Sequence, residues 1–233
     1  MSQEKIKVAV AMSGGVDSSV AALLLKEQGY RVVGVYMKNW SQNLPGYECP
    51  WRQDYLDAKR IAVQLAIDFK VFAFENEYKS KVVDYMISEY KAGHTPNPDI
   101  MCNQEIKFKL FYETAKQDGA DMIATGHYAI AKDGELYKGK DINKDQSYFL
   151  YRVTSSVLKN TLFPVGEMKK PEVKKIAVNH KLITATKKES MGICFVGKVG
   201  IKDFLLQYIK PKKGRIVDQN GKTIGYHDGA IFY

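Results

Sequence analysis

The sequence predicts an α/β protein whose core is a doubly wound parallel sheet with helices on both faces. From residue 6 to residue 125, apolar β-branched runs alternate with amphipathic runs of helical length, which is typical of strand–helix–strand units. The first apolar run leads through a glycine-rich turn into an amphipathic run, the order of a nucleotide-binding site. A length of 233 residues suits one such domain plus the start of a small second unit.

The predicted elements follow one another along the chain with short connections. Gly29 ends the first helix, because glycine readily adopts the left-handed conformation found after a helix C-terminus. Strands are predicted at residues 6–10, 31–37, 71–74 and 122–125, and helices at residues 20–28, 54–65, 78–92 and 100–117. The remaining predictions are a hairpin at residues 128–138, a basic helix starting at Pro171, a helix at residues 201–209 and a hairpin turn at Asn220–Gly221.

Composition excludes several classes of protein. A hydrophobic content of 45% indicates a globular chain, and the N-terminal apolar run is too short and too charged for a signal peptide or a membrane span. We therefore expect a cytoplasmic protein with no membrane partner. The three cysteines, Cys49, Cys102 and Cys194, are too far apart to form metal-ligand pairs, and an odd number is a poor disulfide framework.

Positive charge is concentrated in the second part of the chain. Residues 1–100 are neutral, so residues 101–233 carry the whole net charge of +9. This asymmetry indicates a polyanionic partner larger than a nucleotide, although a solvated lysine-rich surface would give the same count. The stretch Lys144-Asp145-Gln146 precedes several aromatic residues, a mixture that can stack bases and contact phosphates but also fits an amphipathic helix.

The turn at residues 13–15 predicts a phosphate site. Its glycines let the backbone approach an anion, and the N–H groups of the turn and of the following helix favour negative charge. A kinase-type loop would carry Lys where this sequence has Asp17, and an acidic residue beside phosphates indicates a bridging Mg²⁺. The local sequence also fits a tight turn with an N-capping Ser or Asp.

Further candidates lie where predicted strands end, which is the ligand side of an open α/β sheet. Met37 and its neighbours Lys38-Asn39-Trp40 are candidates to line the adenine pocket, although core packing would also explain Met37. Gly126 would let a ligand approach the backbone. His127 could contact phosphate or transfer a proton, and a loop histidine with an ordinary hydrogen bond fits equally well.

Asp99 is predicted to cap the helix at residues 100–117, which places Cys102 in its first turn. The helix dipole stabilises a thiolate there and lowers the pKa of the thiol, so Cys102 is a candidate nucleophile. Asp99 lies three residues earlier and can share its face. A buried core cysteine is the alternative, and the apolar surroundings of Cys194 favour a core role for that residue.

Longer motifs resemble those of known enzymes. The stretch SGGVDSS resembles the loop of the ATP pyrophosphatases, which cleave ATP between its α and β phosphates and adenylate a substrate oxygen. The motifs VYMKNW, TPNPDIMCN, IATGHY, NKDQSYFLY, LFPVGE and MGICFVG occur in the order and spacing of the tRNA 2-thiouridylases. This resemblance covers essentially the whole chain and implies the adenine nucleotide alpha hydrolase-like, Rossmann-like form of the fold.

The resemblance implies ATP-dependent 2-thiolation of the wobble uridine in tRNA. Adenylation makes the 2-oxo group a leaving group, and sulfur from a cysteine persulfide replaces it, with AMP and pyrophosphate as products. The implied cofactors are ATP and Mg²⁺. The implied partners are tRNAs such as those for Glu, Gln and Lys, and a sulfur-relay protein or cysteine desulfurase as the persulfide donor.

The resemblance also implies residue roles. Cys194 would carry the persulfide and Cys102 would be left in a disulfide with it, while Asp99 would act in proton transfer. The ATP-contacting positions would be Ala11, Met12, Ser13, Gly14, Gly15, Val16, Asp17, Ser18, Met37 and Gly126, with Asp17 also contacting Mg²⁺. The expected tRNA contacts are Asn97, Pro98, Asp99, His127, Lys144, Asp145 and Gln146.

Domain organisation follows from the same resemblance. We expect residues 1–203 to form the ATP pyrophosphatase domain, with a basic tRNA-facing helical segment at about 144–190, and residues 204–233 to begin a central domain. Family members continue into a C-terminal β-barrel that grips tRNA, so its absence here would weaken tRNA binding. Two alternatives are another ATP pyrophosphatase acting on tRNA (lysidine-synthase-like or an amide ligase) and a non-catalytic tRNA-binding remnant.

Overall fold

A five-stranded parallel sheet forms the centre of the protein. The structure is a computed structural model that describes residues 5–43, 49–188, 201–229 and 232. The strands are β1 (Lys7–Ala11), β2 (Arg31–Lys38), β3 (Asp68–Ala73), β4 (Met122–Ala124), β5 (Ala129–Lys132), β6 (Glu135–Lys138), β7 (Thr161–Leu162), β8 (Gly214–Val217) and β9 (Thr223–His227). The central sheet has the order β3-β2-β1-β4-β7, so the strand order reverses between β1 and β4. Ligands bind at such a switch point in open α/β sheets.

The helices connect the strands on both sides of this sheet. They are α1 (Val16–Glu27), α2 (Trp51–Gln64), α3 (Glu75–Tyr78), α4 (Asp84–Lys91), α5 (Pro98–Met101), α6 (Phe111–Gln117), α7 (Ser155–Leu158), α8 (Lys170–Asn179) and α9 (Ile201–Leu205). Two π-helical segments, Lys79–Val83 and Cys102–Leu110, join α3 to α4 and α5 to α6. Each predicted long helix in this part of the chain is therefore a continuous α–π–α stretch.

Two buried clusters confirm the doubly wound arrangement. Side chains alternate along β1: Val8 and Val10 pack in one cluster with α1, α2 and α8. Ala9 and Ala11 pack in the other cluster, with the helical stretches between β3 and β4. A strand buried on both faces needs apolar residues at every position, which explains the continuous apolar run of β1.

Hairpins follow the sheet strands as predicted. β5 and β6 pair through a turn at Asp133 and Gly134, both at positive φ (54° and 83°). β8 and β9 pair in the same antiparallel way, with Gly221 at φ 79° in their turn. Within the described ranges, no helix has the length and apolarity needed to cross a bilayer.

Three sequence predictions differ from the structure. The helix before Cys102 is capped by Asn97, whose Oδ1 accepts from the N–H groups of Asp99 (3.0 Å) and Ile100 (3.3 Å), so the predicted cap at Asp99 is wrong. Pro98 fits the first helical position because it has a fixed φ and needs no acceptor for an N–H. Strand β7 was not predicted and lies inside the segment expected to be helical, and α9 ends four residues early.

Candidate functional site

The predicted phosphate loop lies between the end of β1 and the start of α1. Ser18 closes it: its Oγ accepts from the Ser13 N–H (3.2 Å), lies 3.3 Å from the Ser13 Oγ and donates to the Gly15 carbonyl (3.2 Å). Ser19 Oγ donates to the same carbonyl at 2.7 Å. The serines of the motif therefore fix the loop backbone.

The helix after the loop offers backbone donors to an anion. α1 begins after the extended Gly15 (φ −95°, ψ 170°), and no described side chain caps its first turn. The first N–H groups of a helix lack intrahelical acceptors, and the dipole adds partial positive charge there. Apart from the two chain neighbours of Gly15, the only atom of the described residues within 4 Å of a Cβ built on it is Ser13 Oγ, at 3.4 Å, so the described part of the chain leaves space beside this glycine. These features fit a phosphate group.

Helix α2 supports the loop from behind. Gly14 has φ +74°, and a Cβ there would lie 2.3 Å from the Asp54 carbonyl oxygen, so only glycine allows this approach. The carboxylates of Asp54 and Asp57 hold Lys187 Nζ at 2.8 and 2.6 Å. Burial alone would lower the pKa of Lys187, but these two carboxylates raise it above its usual value. The charged Lys187 side chain is therefore bound to α2, the helix that supports the loop.

Asp17 is held by two residues from distant parts of the chain. Lys170 Nζ lies 2.7 Å from both Asp17 carboxylate oxygens, and Tyr128 Oη donates to Oδ1 at 2.9 Å. The Lys170 side chain is 8% exposed and that of Asp17 is 29% exposed. A buried lysine needs such a partner, since an unpaired buried charge is strongly unfavourable. The ion pair therefore brings a cation to the first turn of α1.

Lys170 is the site residue that sequence analysis missed. The loop lacks the lysine of kinase-type loops. Instead, Lys170 of α8, which is 153 residues further along the chain than Asp17, lies beside the loop in the folded protein. Within the basic run at 169–188 this lysine resembles its solvent-exposed neighbours. The one available indication was Pro171, which fixes the helix start and so places Lys170 at an end of α8.

The arrangement does not fit a Mg²⁺ contact at Asp17. Both carboxylate oxygens already receive hydrogen bonds from Lys170, and Oδ1 also receives one from Tyr128. Mg²⁺ would need one of these oxygens in a nearly ideal octahedral site. Among the described residues, no group of three or more His, Cys, Asp or Glu side chains could hold a metal. Mg²⁺ therefore enters no step of the mechanism proposed below.

Met37 lies at the carboxyl end of β2, next to the loop. Its side chain is buried in the core cluster that lies between the sheet and the helices following β3, which fits the alternative of core packing. β1 pairs with β2 only as far as Val35, and β2 continues three residues further. On the side of β2 that faces the loop, the backbone of Met37 is therefore not paired with β1. The predicted contact of Met37 with ATP stays a prediction.

Gly126 packs against the start of α1. A Cβ at this position would lie 2.7 Å from Ser18 N and 2.8 Å from the Asp17 carbonyl carbon. Because backbone on both sides must move, we expect Gly126→Ala to lower the free energy of unfolding by about 1–3 kcal/mol. We also expect weaker ATP binding, since the donors at the helix start shift. Thermal unfolding and calorimetric ATP titration measure both effects.

The matched control is Gly225→Ala in β9, where, among the described residues beyond its chain neighbours, a Cβ would meet only Ile216 side-chain atoms at 3.6 Å or more. This variant should keep its ATP affinity. Equal losses of ATP affinity in the two variants would contradict the role assigned to Gly126.

The predicted nucleophile, Cys102, follows α5 directly and is completely buried. α5 contacts the π-helical segment Lys79–Val83, which begins shortly after β3 ends. Asp99 Oδ1 is also buried and has no hydrogen-bond partner among the described residues. An unpaired buried carboxylate oxygen can accept a proton, as the role predicted for Asp99 requires.

His127 is buried rather than presented to a polyanion. Its Nδ1 lies 2.7 Å from Thr125 Oγ1, and its ring lies 5.7 Å from the Phe108 ring and 6.2 Å from the Phe163 ring. Burial, with a smaller effect of nearby Lys107, holds the pKa of His127 well below its usual value. The ring is therefore neutral near pH 7, and its contact with tRNA stays a prediction.

The side chains of Asp145 and Gln146 hold their own loop together. Asp145 accepts from the backbone N–H groups of Gly139 (2.8 Å) and Ser147 (3.2 Å), and Gln146 Oε1 accepts from the Tyr128 N–H at 3.0 Å. Burial opposes ionisation of Asp145, but these hydrogen bonds lower its pKa below the usual value. Lys144 is half-buried in the same loop. The predicted tRNA contacts of all three residues stay predictions.

Of the other two cysteines, Cys49 lies within the described residues and Cys194 does not. Cys49 is buried, and burial raises the pKa of its thiol more than a backbone hydrogen bond from Trp51 lowers it, which fits a structural role. Cys194 lies outside the described residues, so its predicted persulfide role and its distance from Cys102 stay predictions.

Comparison with known proteins identifies related sequences. Three curated relatives named tRNA-specific 2-thiouridylase MnmA are similar to this chain. That of Streptococcus sanguinis is 50% identical over 98% of this chain and 63% of its own length. Those of Proteus mirabilis and Shouchella clausii are 52% and 50% identical over 97% and 99% of this chain, and 63% and 65% of their own lengths.

The chain thus spans somewhat less than two thirds of these relatives, and the resemblance seen in its motifs is confirmed. The family model described as "tRNA methyl transferase HUP domain" matches residues 6–198, which include the phosphate loop, the Cys102 helix and α8. By that match, the chain belongs to the tRNA methyl transferase HUP domain family.

Proposed function

We propose that this chain catalyses the ATP-dependent 2-thiolation of the wobble uridine in tRNA. The observation that carries the proposal is the match over 97–99% of the chain to relatives named tRNA-specific 2-thiouridylase. The start of α1, which no described side chain caps, and the cysteine at position 102 just after α5 support it, because the reaction needs both an anion site and a sulfur nucleophile.

The phosphate loop and α1 would bind the nucleotide. The N–H groups at the start of α1 would hold its phosphates, and Lys170 would keep Asp17 compensated while that negative charge arrives. ATP supplies an adenylyl group that turns the 2-oxo group of uridine into a leaving group. Asp99 would accept the proton that the uracil ring loses, because its Oδ1 is buried and has no described partner.

The cysteines would transfer the sulfur. The outer sulfur of a Cys194 persulfide would bond to C2 of the uracil, and AMP would leave with the electron pair of the broken C–O bond. The Cys102 thiolate would attack Cys194 Sγ, and the electron pair of the broken S–S bond would stay on the transferred sulfur. This leaves a Cys102–Cys194 disulfide, which an external thiol must reduce before the next turnover.

The proposed reaction needs a tRNA substrate and a persulfide donor. The polyanionic substrate would be tRNA, with the basic residues 101–233 facing it, and tRNAs for Glu, Gln and Lys as candidates. A sulfur-relay protein or a cysteine desulfurase would load the persulfide. Both partners work in a reducing compartment, so the protein would act in the cytoplasm.

Reconstitution tests this function. The 233-residue chain is incubated with an unmodified tRNA-Glu transcript, ATP and a desulfurase-based persulfide donor, and the digested tRNA is analysed for 2-thiouridine by mass spectrometry. We expect ATP-dependent 2-thiouridine and release of AMP and pyrophosphate. AMP release without 2-thiouridine would instead favour another ATP pyrophosphatase acting on tRNA.

A further inference from the structure

Residues 181–187, here called the α8 turn, follow helix α8 and contact both helices next to the phosphate loop. Leu182 and Ala185 pack in the buried cluster that also holds the apolar faces of α1 and α2. From α2, Gln64 Nε2 donates to the Lys181 carbonyl at 2.9 Å. The α8 turn is therefore fixed against the helix that begins at the loop and against the helix that supports it.

Two buried hydroxyl groups connect this turn to the loop. Thr184 is 1% exposed, and its Oγ1 donates to Ser19 Oγ at 3.1 Å. Ser19 is completely buried, and its Oγ donates to the Gly15 carbonyl at 2.7 Å. A hydroxyl has one hydrogen, so Ser19 accepts from Thr184 while it donates to Gly15. Hydrogen bonds in such a chain polarise and strengthen one another.

The chain of hydroxyls ends at the peptide group that leads into α1. The Gly15 carbonyl and the Val16 N–H belong to one planar trans peptide, so they point in opposite directions. The Gly15 carbonyl points along α1, where it also accepts from the Ser19 N–H at 3.3 Å. The Val16 N–H therefore points out of the helix start, toward the proposed phosphate site. The direction of this donor depends on the two hydroxyls.

The α8 turn also supports the second glycine of the loop. Lys187 Nζ lies 2.8 Å from an Asp54 carboxylate oxygen. The backbone carbonyl of Asp54 is the group against which Gly14 packs, since a Cβ there would lie 2.3 Å from its oxygen. The turn thus acts on both glycines through separate contacts, which a single incidental hydrogen bond would not explain.

We infer that Thr184 is a positioning residue for nucleotide binding. Through Ser19, it holds the peptide between Gly15 and Val16 in the orientation that binds phosphate. It acts through that hydroxyl and does not itself contact the nucleotide. The inference rests on the proposed function, because that function makes ATP the nucleotide.

A positioning role and a purely structural role predict different results. Any buried hydroxyl that loses its partner costs stability, so a lower thermal midpoint alone does not separate them. Only the positioning role predicts that a folded variant binds ATP less tightly, and that the loss follows the hydroxyl and not the size of the side chain.

Calorimetric titration with ATP compares the 233-residue wild type with Thr184→Val, Thr184→Ser and Thr161→Val. Valine keeps the shape of threonine without its hydroxyl, and serine keeps the hydroxyl. Thr161 is the matched control, because it is also buried and its Oγ1 also donates one hydrogen bond, to the Val157 carbonyl at 2.8 Å. It lies in β7, at the edge of the sheet.

We expect Thr184→Val to weaken ATP binding about fivefold, the effect of one lost hydrogen bond, and Thr184→Ser to stay within about twofold of the wild type. Thr161→Val should lower the thermal midpoint and leave the dissociation constant for ATP unchanged.

A double variant tests whether Thr184 acts through Ser19. Ser19→Ala breaks the hydroxyl chain at its middle and should itself weaken ATP binding. In that background, Thr184→Val should cause no further loss of ATP affinity, because the connection is already broken. Independent losses that multiply in the double variant would overturn the inference.

The remaining outcomes are equally decisive. Wild-type ATP affinity in Thr184→Val overturns the inference, and so does an equal loss in Thr184→Ser, since the hydroxyl would then not matter. An equal loss in Thr161→Val overturns it in favour of general destabilisation. If the wild type binds no ATP, the proposed function fails and the inference fails with it, so the wild-type titration distinguishes the two failures.

Discussion

Replacing Lys170 by methionine is expected to destabilise the protein and to abolish tight ATP binding. The change leaves the Asp17 carboxylate, which is 29% exposed, without the cation that contacts both of its oxygens. Breaking a largely buried ion pair in this way should lower the free energy of unfolding by about 2 kcal/mol, below the full buried value because Asp17 is partly exposed. The midpoint of thermal unfolding should then fall by about 4–8 °C.

ATP binding should weaken in Lys170→Met for an electrostatic reason. The uncompensated Asp17 carboxylate would lie in the first turn of α1, where the phosphates are expected, and would repel them. Calorimetry with ATP measures this effect, and Lys175→Met, which removes an exposed lysine from the same helix, is the control. Unchanged stability and unchanged ATP affinity in Lys170→Met would show that the ion pair matters to neither property.

The double variant with Asp17→Asn refines the test. If Lys170 acts by compensating Asp17, then Lys170→Met should cost much less stability in the Asp17→Asn background than in the wild type. If Lys170 binds phosphate directly, ATP affinity should stay low in the double variant. Thermal unfolding and ATP titration together therefore distinguish compensation of Asp17 from direct contact with the nucleotide.

Removing the Cys102 thiol is expected to reduce 2-thiouridine formation to background while ATP binding persists. In the proposed mechanism this thiol breaks the persulfide bond, and no hydroxyl or methyl group can replace it. Cys102 is completely buried, and Cys102→Ser would bury a hydroxyl, so Cys102→Ala is the better variant. The measurement is a single-turnover thiolation assay with mass spectrometry of the digested tRNA.

Cys49→Ala provides the matched control, because Cys49 is another buried cysteine in the same core cluster. It should retain thiolation. Mass spectrometry of non-reduced peptides should find a Cys102–Cys194 disulfide after one turnover of the wild type and of Cys49→Ala. Normal thiolation by Cys102→Ala would contradict the assigned role and favour a mechanism in which only one cysteine takes part.

The sequence predicts the sheet well because the responsible forces act locally. The apolar run before the loop and the β-branched run at residues 31–37 are buried on both faces, and such strands need continuous apolar residues. β7 was missed because two residues, Thr161 and Leu162, cannot display a periodicity. The cap at Asn97 was misplaced because Asn97 and Asp99 are both good N-cap residues, and Pro98 between them decides the outcome.

The sequence predicts the backbone conformation of the site better than it predicts the contacts between the site's side chains. The glycine and serine pattern around Gly14 and Gly15 predicts the loop, since turn geometry and capping depend on neighbouring residues. The partner of Asp17 is 153 residues away, so no pattern around Asp17 could indicate Lys170, and Pro171 marks only where α8 begins.

The distance along the chain between Asp17 and Lys170 has a consequence for protein synthesis. A ribosome makes the chain from its N-terminus, so Asp17 emerges early and Lys170 emerges 153 residues later. The nascent chain can pair β1 with β2 and β3, but its Asp17 carboxylate has no lysine partner from α8 until that helix has been translated. Translation arrested before α8 should yield a chain that collapses around β1 yet binds nucleotide poorly.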